Sequence, residues 1–137
     1  MVKLRTDTES IFFWIGFLFM ILNINTSKAQ TNEVYGEIVF DSLAFDVGTI
    51  EKNSKTLYVT YTNVGEGKLA LYHVVTPCNC TTVAFSKEPI SKGKKGKITI
   101  EIDPLKLPLG PFTRTVTILH DGSEKGHDQV TITGIKK

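Results

Sequence analysis

Ile98-Thr99-Ile100-Glu101-Ile102-Asp103 decides the fold, because an isoleucine alternates with a polar residue at every step. Successive side chains of a β-strand point to opposite faces, so this period of two buries one face and wets the other. The pattern recurs along the chain. Leu57, Val59 and Tyr61 alternate with Tyr58, Thr60 and Thr62; Val116 and Ile118 alternate with Thr115 and Thr117; Val130 and Ile132 alternate with Thr131 and Thr133. Residues 34–40, 44–47, 68–76 and 82–85 are less regular strand candidates of similar composition. No stretch carries a convincing helical period.

Turn residues punctuate these segments at short intervals: Glu51-Lys52-Asn53-Ser54, Asn63-Val64-Gly65-Glu66-Gly67, the lysine-rich turn from Ser91 to Gly96, and Asp121-Gly122-Ser123. Between Asp103 and Pro111, Pro104, Pro108 and Pro111 cannot donate ladder hydrogen bonds, so a connection along an edge or between sheets is expected there. About seven short strands separated by such turns predict an all-β, two-sheet antiparallel sandwich, with a closed barrel as the alternative.

Residues 1–29 have the layout of a secretory signal. Lys3 and Arg5 stand in a polar start, an apolar run follows from Ile11 to Leu22, and Ser27-Lys28-Ala29 offers small residues ahead of Gln30. The apolar run falls short of the roughly twenty residues of a spanning helix. Cleavage between Ala29 and Gln30 is therefore expected, with no permanent membrane span. Asp7 and Glu9 offset the early positive charge, and an uncleaved anchor or a cytosolic chain are the alternatives. No cysteine stands at the cleavage position, so the expected address is periplasmic or extracellular and not that of a lipoprotein. The expected organisation is a signal over 1–29, a lead-in with a possible first strand over 30–39, and a sandwich domain over 40–137. The whole chain has 16 basic and 14 acidic residues; loss of Lys3, Arg5, Lys28, Asp7 and Glu9 leaves 13 against 12. Such balance gives no reason to expect a nucleic-acid partner. Two cysteines do not make a disulfide framework, so the fold must stand on its hydrophobic core.

Taken together, Phe45-Asp46-Val47-Gly48-Thr49-Ile50, Val59-Thr60-Tyr61-Thr62-Asn63-Val64-Gly65, Pro77-Cys78-Asn79-Cys80-Thr81, Pro89-Ile90-Ser91-Lys92-Gly93 and Gly110-Pro111-Phe112 form a pattern. It resembles the bacterial exported family called domain of unknown function 1573, common in Bacteroidetes, over about residues 40–135. The resemblance implies an immunoglobulin-like sandwich related in architecture to major-sperm-protein and cilia-associated domains, and it implies no established activity. The chain departs from the family pattern at Val47, usually phenylalanine, at Lys92, usually proline, and at Thr76-Pro77, usually small polar residues. Asn79 stands where the family has glycine between its cysteines. Glycine suggests a positive φ, and asparagine is among the few other residues that tolerate one.

Cys78 and Cys80 are the candidate chemistry. In an extended strand they share a face with Cα atoms near the upper limit of disulfide reach, and a kink at Asn79 would shorten the gap. A bond between them would close a very small ring and reduce readily. The alternatives are thiol-redox work, Cu(I) held by two thiolates, an intermolecular cross-link, and simple packing. A structural zinc site would need further ligands from His73, His120 or His127. These histidines form no motif and read as solvated loop residues, although His120 and His127 flank a probable turn. Lys92, Lys94, Lys95 and Lys97 form a basic turn, either a flexible hairpin tip or a binding surface for an anionic partner. Asn79-Cys80-Thr81 matches the glycosylation acceptor pattern by accident in a bacterial protein. No catalytic constellation is recognisable, so the expected function is a non-catalytic binding or structural module of the envelope, its partner a protein or envelope component and no cofactor required. The alternative is a periplasmic thiol-redox or copper-binding protein.

Overall fold

The computed structural model describes Ile15, Gly16 and residues 33–137. Ile15 and Gly16 are helical; the rest of the expected signal, and the cleavage point between Ala29 and Gln30, lie outside the described residues. From residue 33 the chain forms two four-stranded sheets. The first contains β1 (Ile38–Phe40), β3 (Lys55–Asn63), β6 (Lys95–Ile102) and β5 (Thr81–Ala84), side by side in that order. The second contains β2 (Ala44–Ile50), β8 (His127–Lys136), β7 (Gly110–His120) and β4 (Leu71–Val75), again in that order.

The alternating rows face each other between the sheets. Val59, Ile98, Ile100 and Ile102 from the first sheet, and Val116, Ile118, Val130 and Ile132 from the second, are all 0% exposed. Burying a side chain of this size stabilises the fold by about 1.5–3 kcal/mol. These rows outweigh any single polar contact as the source of stability.

The expected sandwich is found, with an eighth strand and one ladder of unexpected sense: β2 runs parallel to β8, while every other ladder is antiparallel. Alternation reports which face is buried and says nothing of strand direction. The β2 register shifts between Asp46 and Thr49. There the Asp46 carboxylate accepts from the Gly48 N–H at 2.8 Å, and Gly48 takes a φ of 68° that a side chain would resist.

Three other boundaries move for identifiable reasons. β4 covers only Leu71–Val75, and its register breaks between Leu71 and His73, leaving Tyr72 as the extra residue. Leu71 and Val74 are thereby buried while Tyr72 and His73 are exposed, which spoils the period-two signal. Between Asp103 and Pro111 the chain crosses from β6 in one sheet to β7 in the other through a short 3-10 turn, Pro104–Lys106, capped by the Asp103 carboxylate. Pro111 falls inside β7, at its start. Of residues 34–40 only the last three pair as a strand, so the boundary expected at residue 40 falls within β1.

Residues 33–37 are held by a different device. Asn63, expected in a turn, is the last residue of β3 and fully buried. Its Oδ1 accepts from the N–H groups of Glu37 (3.1 Å) and Gly65 (3.0 Å), and its Nδ2 donates to the carbonyls of Gly67 (2.7 Å) and Ile90 (2.9 Å). Its backbone N–H reaches Lys94 and its carbonyl accepts from Gly93. The lead-in lies so close to the following loop that a Cβ on Gly67 would sit 2.0 Å from the Val34 carbonyl oxygen.

Asn63→Ala should therefore cost on the order of 3–5 kcal/mol in urea denaturation, because four backbone groups lose their partner in one substitution. A loss below about 1 kcal/mol would show that water takes over these bonds. Burial also pushes the Tyr61 phenol above its ordinary pKa of 10.0. The neutral phenol then contributes stability that is complete below the ordinary value and is lost as pH rises through the raised one. The urea midpoint should fall above about pH 10, and fall less in Tyr61→Phe.

Candidate functional site

The cysteine pair sits where the chain leaves one sheet for the other. The β4 ladder along β7 ends at Val75 opposite Thr117. Thr76 then turns the chain, its hydroxyl donating to the Cys78 carbonyl at 2.8 Å, and Pro77 has no N–H with which to continue a ladder. Cys78 and Cys80 are joined by a disulfide with Cα atoms 5.1 Å apart. Two extended residues would span roughly 6.6–7.2 Å, so the segment is bent. The bend is a turn in which Thr81 N–H reaches the Cys78 carbonyl at 3.3 Å and Cys80 N–H reaches Cys78 Sγ at 3.1 Å.

Asn79 does not use the left-handed region that the glycine of the family pattern suggested: no non-glycine residue has a positive φ among the described residues. A turn closed between Cys78 and Thr81 accommodates ordinary φ values at both central positions. Cys80 is buried in the core and its carbonyl accepts from Asp103 N–H at 2.8 Å, whereas Cys78 is half-buried.

Cys78, with Pro77 and Asn79, forms one wall of an open cleft of about 710 Å³; Thr113, Arg114 and Thr115 of β7 form the other. The backbone of β7 bonds alternately to its two neighbours, β8 and β4. His120 N–H bonds Gly126 on the β8 side, and Asp121 N–H bonds Ala70 on the β4 side. The β7–β8 register is unbroken from Gly110 opposite Lys136 to Leu119 opposite His127. Hydrogen-bonding direction alternates along an antiparallel strand. Even-numbered residues of β7 therefore bond β8, and odd-numbered ones point their N–H and C=O toward the β4 side. Beyond Thr117, where β4 has ended, Thr115 and Thr113 present these groups to the cleft.

Arg114 lies on the core-facing row of β7 with Phe112, Val116, Ile118 and His120, and is half-buried at the mouth of the sandwich. Its guanidinium curls back so that Nη1 donates to the Thr113 carbonyl at 2.8 Å. Its Nε is buried without an acceptor, alone in this among side-chain nitrogens and oxygens of the described residues. Leaving a buried donor unmatched costs about 1–3 kcal/mol, more for a charged group. Sequence reasoning did not single out Arg114. The available signal was a lone charge on an apolar row, between Phe112 and Val116.

The remaining candidates are scattered. Lys92 and Lys94 lie at the end of the long loop that joins the antiparallel pair β5 and β6, and Lys95 and Lys97 fall in β6 itself; Ile90 of the same loop bridges Leu69, and Gly93 and Lys94 are tied to the backbone of Asn63. Lys92 pairs with Glu66, Lys97 lies 4.8 Å over the Tyr58 ring, and Lys94 and Lys95 are exposed.

Nor is His120 a solvated loop residue. It ends β7, is 2% exposed, accepts from Gly122 N–H at Nδ1 and meets Asp128 through Nε2 at 2.9 Å. His73 and His127 are exposed. Among the described residues no group of three or more histidine, cysteine, aspartate or glutamate side chains gathers around a metal-sized space. Both sulfurs are engaged in the disulfide, so two thiolates for Cu(I) exist only after reduction.

Two packed sheets with this connectivity define an immunoglobulin-like β-sandwich module. The chain belongs to the family described as protein of unknown function (DUF1573), whose model matches residues 38–135. A comparison with curated proteins finds no match. Among solved structures, a protein of unknown function from Porphyromonas gingivalis W83 is similar, with TM-score 0.70 and 18% identity over 80% of this chain and 51% of that one. This chain thus spans about half the length of that relative. PapD-like domain 7 of human CEP192 gives TM-score 0.59 at 9% identity, over 80% of this chain and 92% of that domain. The periplasmic chaperone SfaE gives 0.55 at 9% identity, over 73% and 58% of the two chains. At these identities the likeness is one of fold.

The ring closed by Cys78–Cys80 is so small that removing the bond should release little chain entropy, about 1–2 kcal/mol. Cys78→Ala/Cys80→Ala should fold, with a modestly lower urea midpoint and amide shifts confined to residues 76–82 and 113–115. Global unfolding would show that the corner, and not the isoleucine rows, limits stability.

Proposed function

We propose that this chain is an exported protein of the bacterial envelope, and that its sandwich is a non-catalytic module that binds other proteins through an open strand edge. The observation that carries this reading is the uncovered stretch of β7 facing the Cys78–Cys80 corner, since a free strand edge is a ready template for an extended segment of another chain. The strands that end each sheet are blunted, although β1 pairs only with Tyr61–Asn63 and so leaves Lys55–Val59 of β3 uncovered as well, without a facing corner. β1 and β5 are three and four residues long, β4 is interrupted at Tyr72, and β2 is interrupted beside Gly48. The signal-like layout of residues 1–29 supports export, and SfaE, a periplasmic chaperone of similar fold, is consistent with that address. Among the described residues no helix is long and apolar enough to cross a membrane.

A second reading, thiol-redox or copper handling, is favoured by one observation: Cys78 lines the cleft, so one sulfur of the disulfide is within reach of a reagent. It predicts that Cys78→Ser alters redox or metal behaviour of the purified protein while barely moving its melt.

Export and binding are tested together in growing cells. The amino terminus of the exported protein should be Gln30. A photo-reactive benzoylphenylalanine placed at Asn79 should give a discrete protein adduct, and the same probe at Glu101, exposed on β6 between two paired neighbours, should not. Turnover of a substrate by the purified protein, abolished by a point substitution, would overturn the non-catalytic reading.

A further inference from the structure

We infer that the cleft beside the disulfide takes up an extended peptide as an added strand on β7, and that it selects a peptide carrying an acidic side chain next to Arg114. This deepens the protein-binding reading above and rests on it.

The backbone supplies the first half of the site. Thr113 and Thr115 aim their N–H and C=O groups into the cleft, and no backbone–backbone hydrogen bond outside the β7–β8 ladder engages residues 110–116 among the described residues. The chain's own β4 cannot extend along this line. Pro77 lacks the N–H, and the bonded Cys78–Asn79–Cys80 turn directs the chain to the other sheet. The corner holds the edge open and forms the opposite wall.

Arg114 supplies the second half. Its Nη1 occupies the Thr113 carbonyl, one of the groups an added strand would pair with, while its Nε has no acceptor. Strand addition therefore favours an exchange. A peptide N–H at the Thr113 carbonyl competes with Arg114 Nη1 for an oxygen that has two lone pairs, and the buried Nε that already lacks an acceptor gains none from a neutral strand. A carboxylate on the incoming strand closes the exchange, because it accepts two parallel bonds from a guanidinium. The residue beside Arg114 on an added strand points to the same face, which brings the two side chains into cross-strand contact. Neutral and basic segments lack that compensation. Charge thus sets the choice of segment, and backbone pairing sets its extended shape.

An inward-pointing charge near an edge has one other physical use, to repel strand addition altogether. The two roles predict opposite results. The test uses the protein in its exported form and two libraries of seven-residue peptides, acetylated and amidated so that side chains are the only source of carboxylate. One library carries Asp or Glu at the central position and the other Asn or Gln. The acidic library should bind about tenfold or more tightly, with amide shifts at Pro77-flanking residues and at Thr113–Thr115. Arg114→Gln should erase the difference, and N-methylation of alternate peptide amides should abolish binding.

Equal binding of both libraries overturns the inference. So does stronger peptide uptake or self-association of Arg114→Gln, which would make Arg114 a guard. Dimerisation of the unmodified protein with shifts at the same residues would make a second copy the occupant and also overturns it. Absence of peptide binding at the cleft, with the Asn79 adduct still formed, defeats the inference and spares the binding-module reading; absence of both defeats the two together.

Discussion

One buried carboxamide fixes the end of the sandwich where β3 stops. Asn63 has two acceptor sites and two donor hydrogens on its side chain, and all four are matched by backbone groups of Glu37, Gly65, Gly67 and Ile90. These groups belong to the lead-in, to the loop after β3 and to the connection before β6, segments that no strand ladder joins to one another apart from the single Leu69–Ile90 bridge. A hydrophobic residue at this point would fill the space and leave four partly buried backbone groups without their partner. A longer amide would not reach the same four positions. Asn63 thus substitutes for a ladder where the chain is too irregular to build one.

The same end is stitched a second time from the other sheet. His120 holds Gly122 through Nδ1 and Asp128 through Nε2, while the Asp121 carboxylate accepts from Ala70 N–H and from the Tyr72 hydroxyl. Ile38 N–H meets the Gly122 carbonyl, so the first strand is tied to the β7–β8 turn. At the opposite end of β7 the arrangement is reversed. Backbone groups of Thr113 and Thr115 face a cleft, and the charged side chain between them is incompletely matched. The molecule is saturated with hydrogen bonds where β7 ends and open where it begins. That asymmetry locates the candidate site more firmly than any residue motif.

What was legible in the sequence follows from what periodicity reports. Alternation at Ile98, Ile100 and Ile102 identified a buried face, and all three are fully buried. That residues 103–111 form a connection follows from prolines that cannot donate, whereas the choice between an edge and a crossing between sheets depends on where β7 pairs. Alternation could not give the parallel sense of β2, because direction depends on a partner strand far along the chain. It also failed at Tyr72, where one extra residue flips the parity. Asn63 and His120 were misassigned for a shared reason: a polar residue among glycines reads as solvated until its partners are known. The Asn63 side chain reaches partners 26 and 27 residues away. The cysteines stand out in the sequence, but the glycine of the family pattern points to a backbone conformation that Asn79 does not adopt. Arg114 passed unnoticed because its significance depends on where β4 ends, a fact of topology.

The parallel ladder between β2 and β8 has a consequence for how the fold is reached. Ala44 lies opposite Thr131, so the second strand must wait for the eighth. Closing a loop of that length precedes any gain from the contacts it permits, which places this pairing among the slow steps of assembly. Until β8 arrives, β2 has no partner in its own sheet, and β7 is held on its β4 side alone. The cleft-facing stretch of β7 is therefore backed by a paired strand only when β8 is in place, so a chain interrupted before β8 would keep most of its isoleucine rows and leave β7 beyond Thr117 open on both sides.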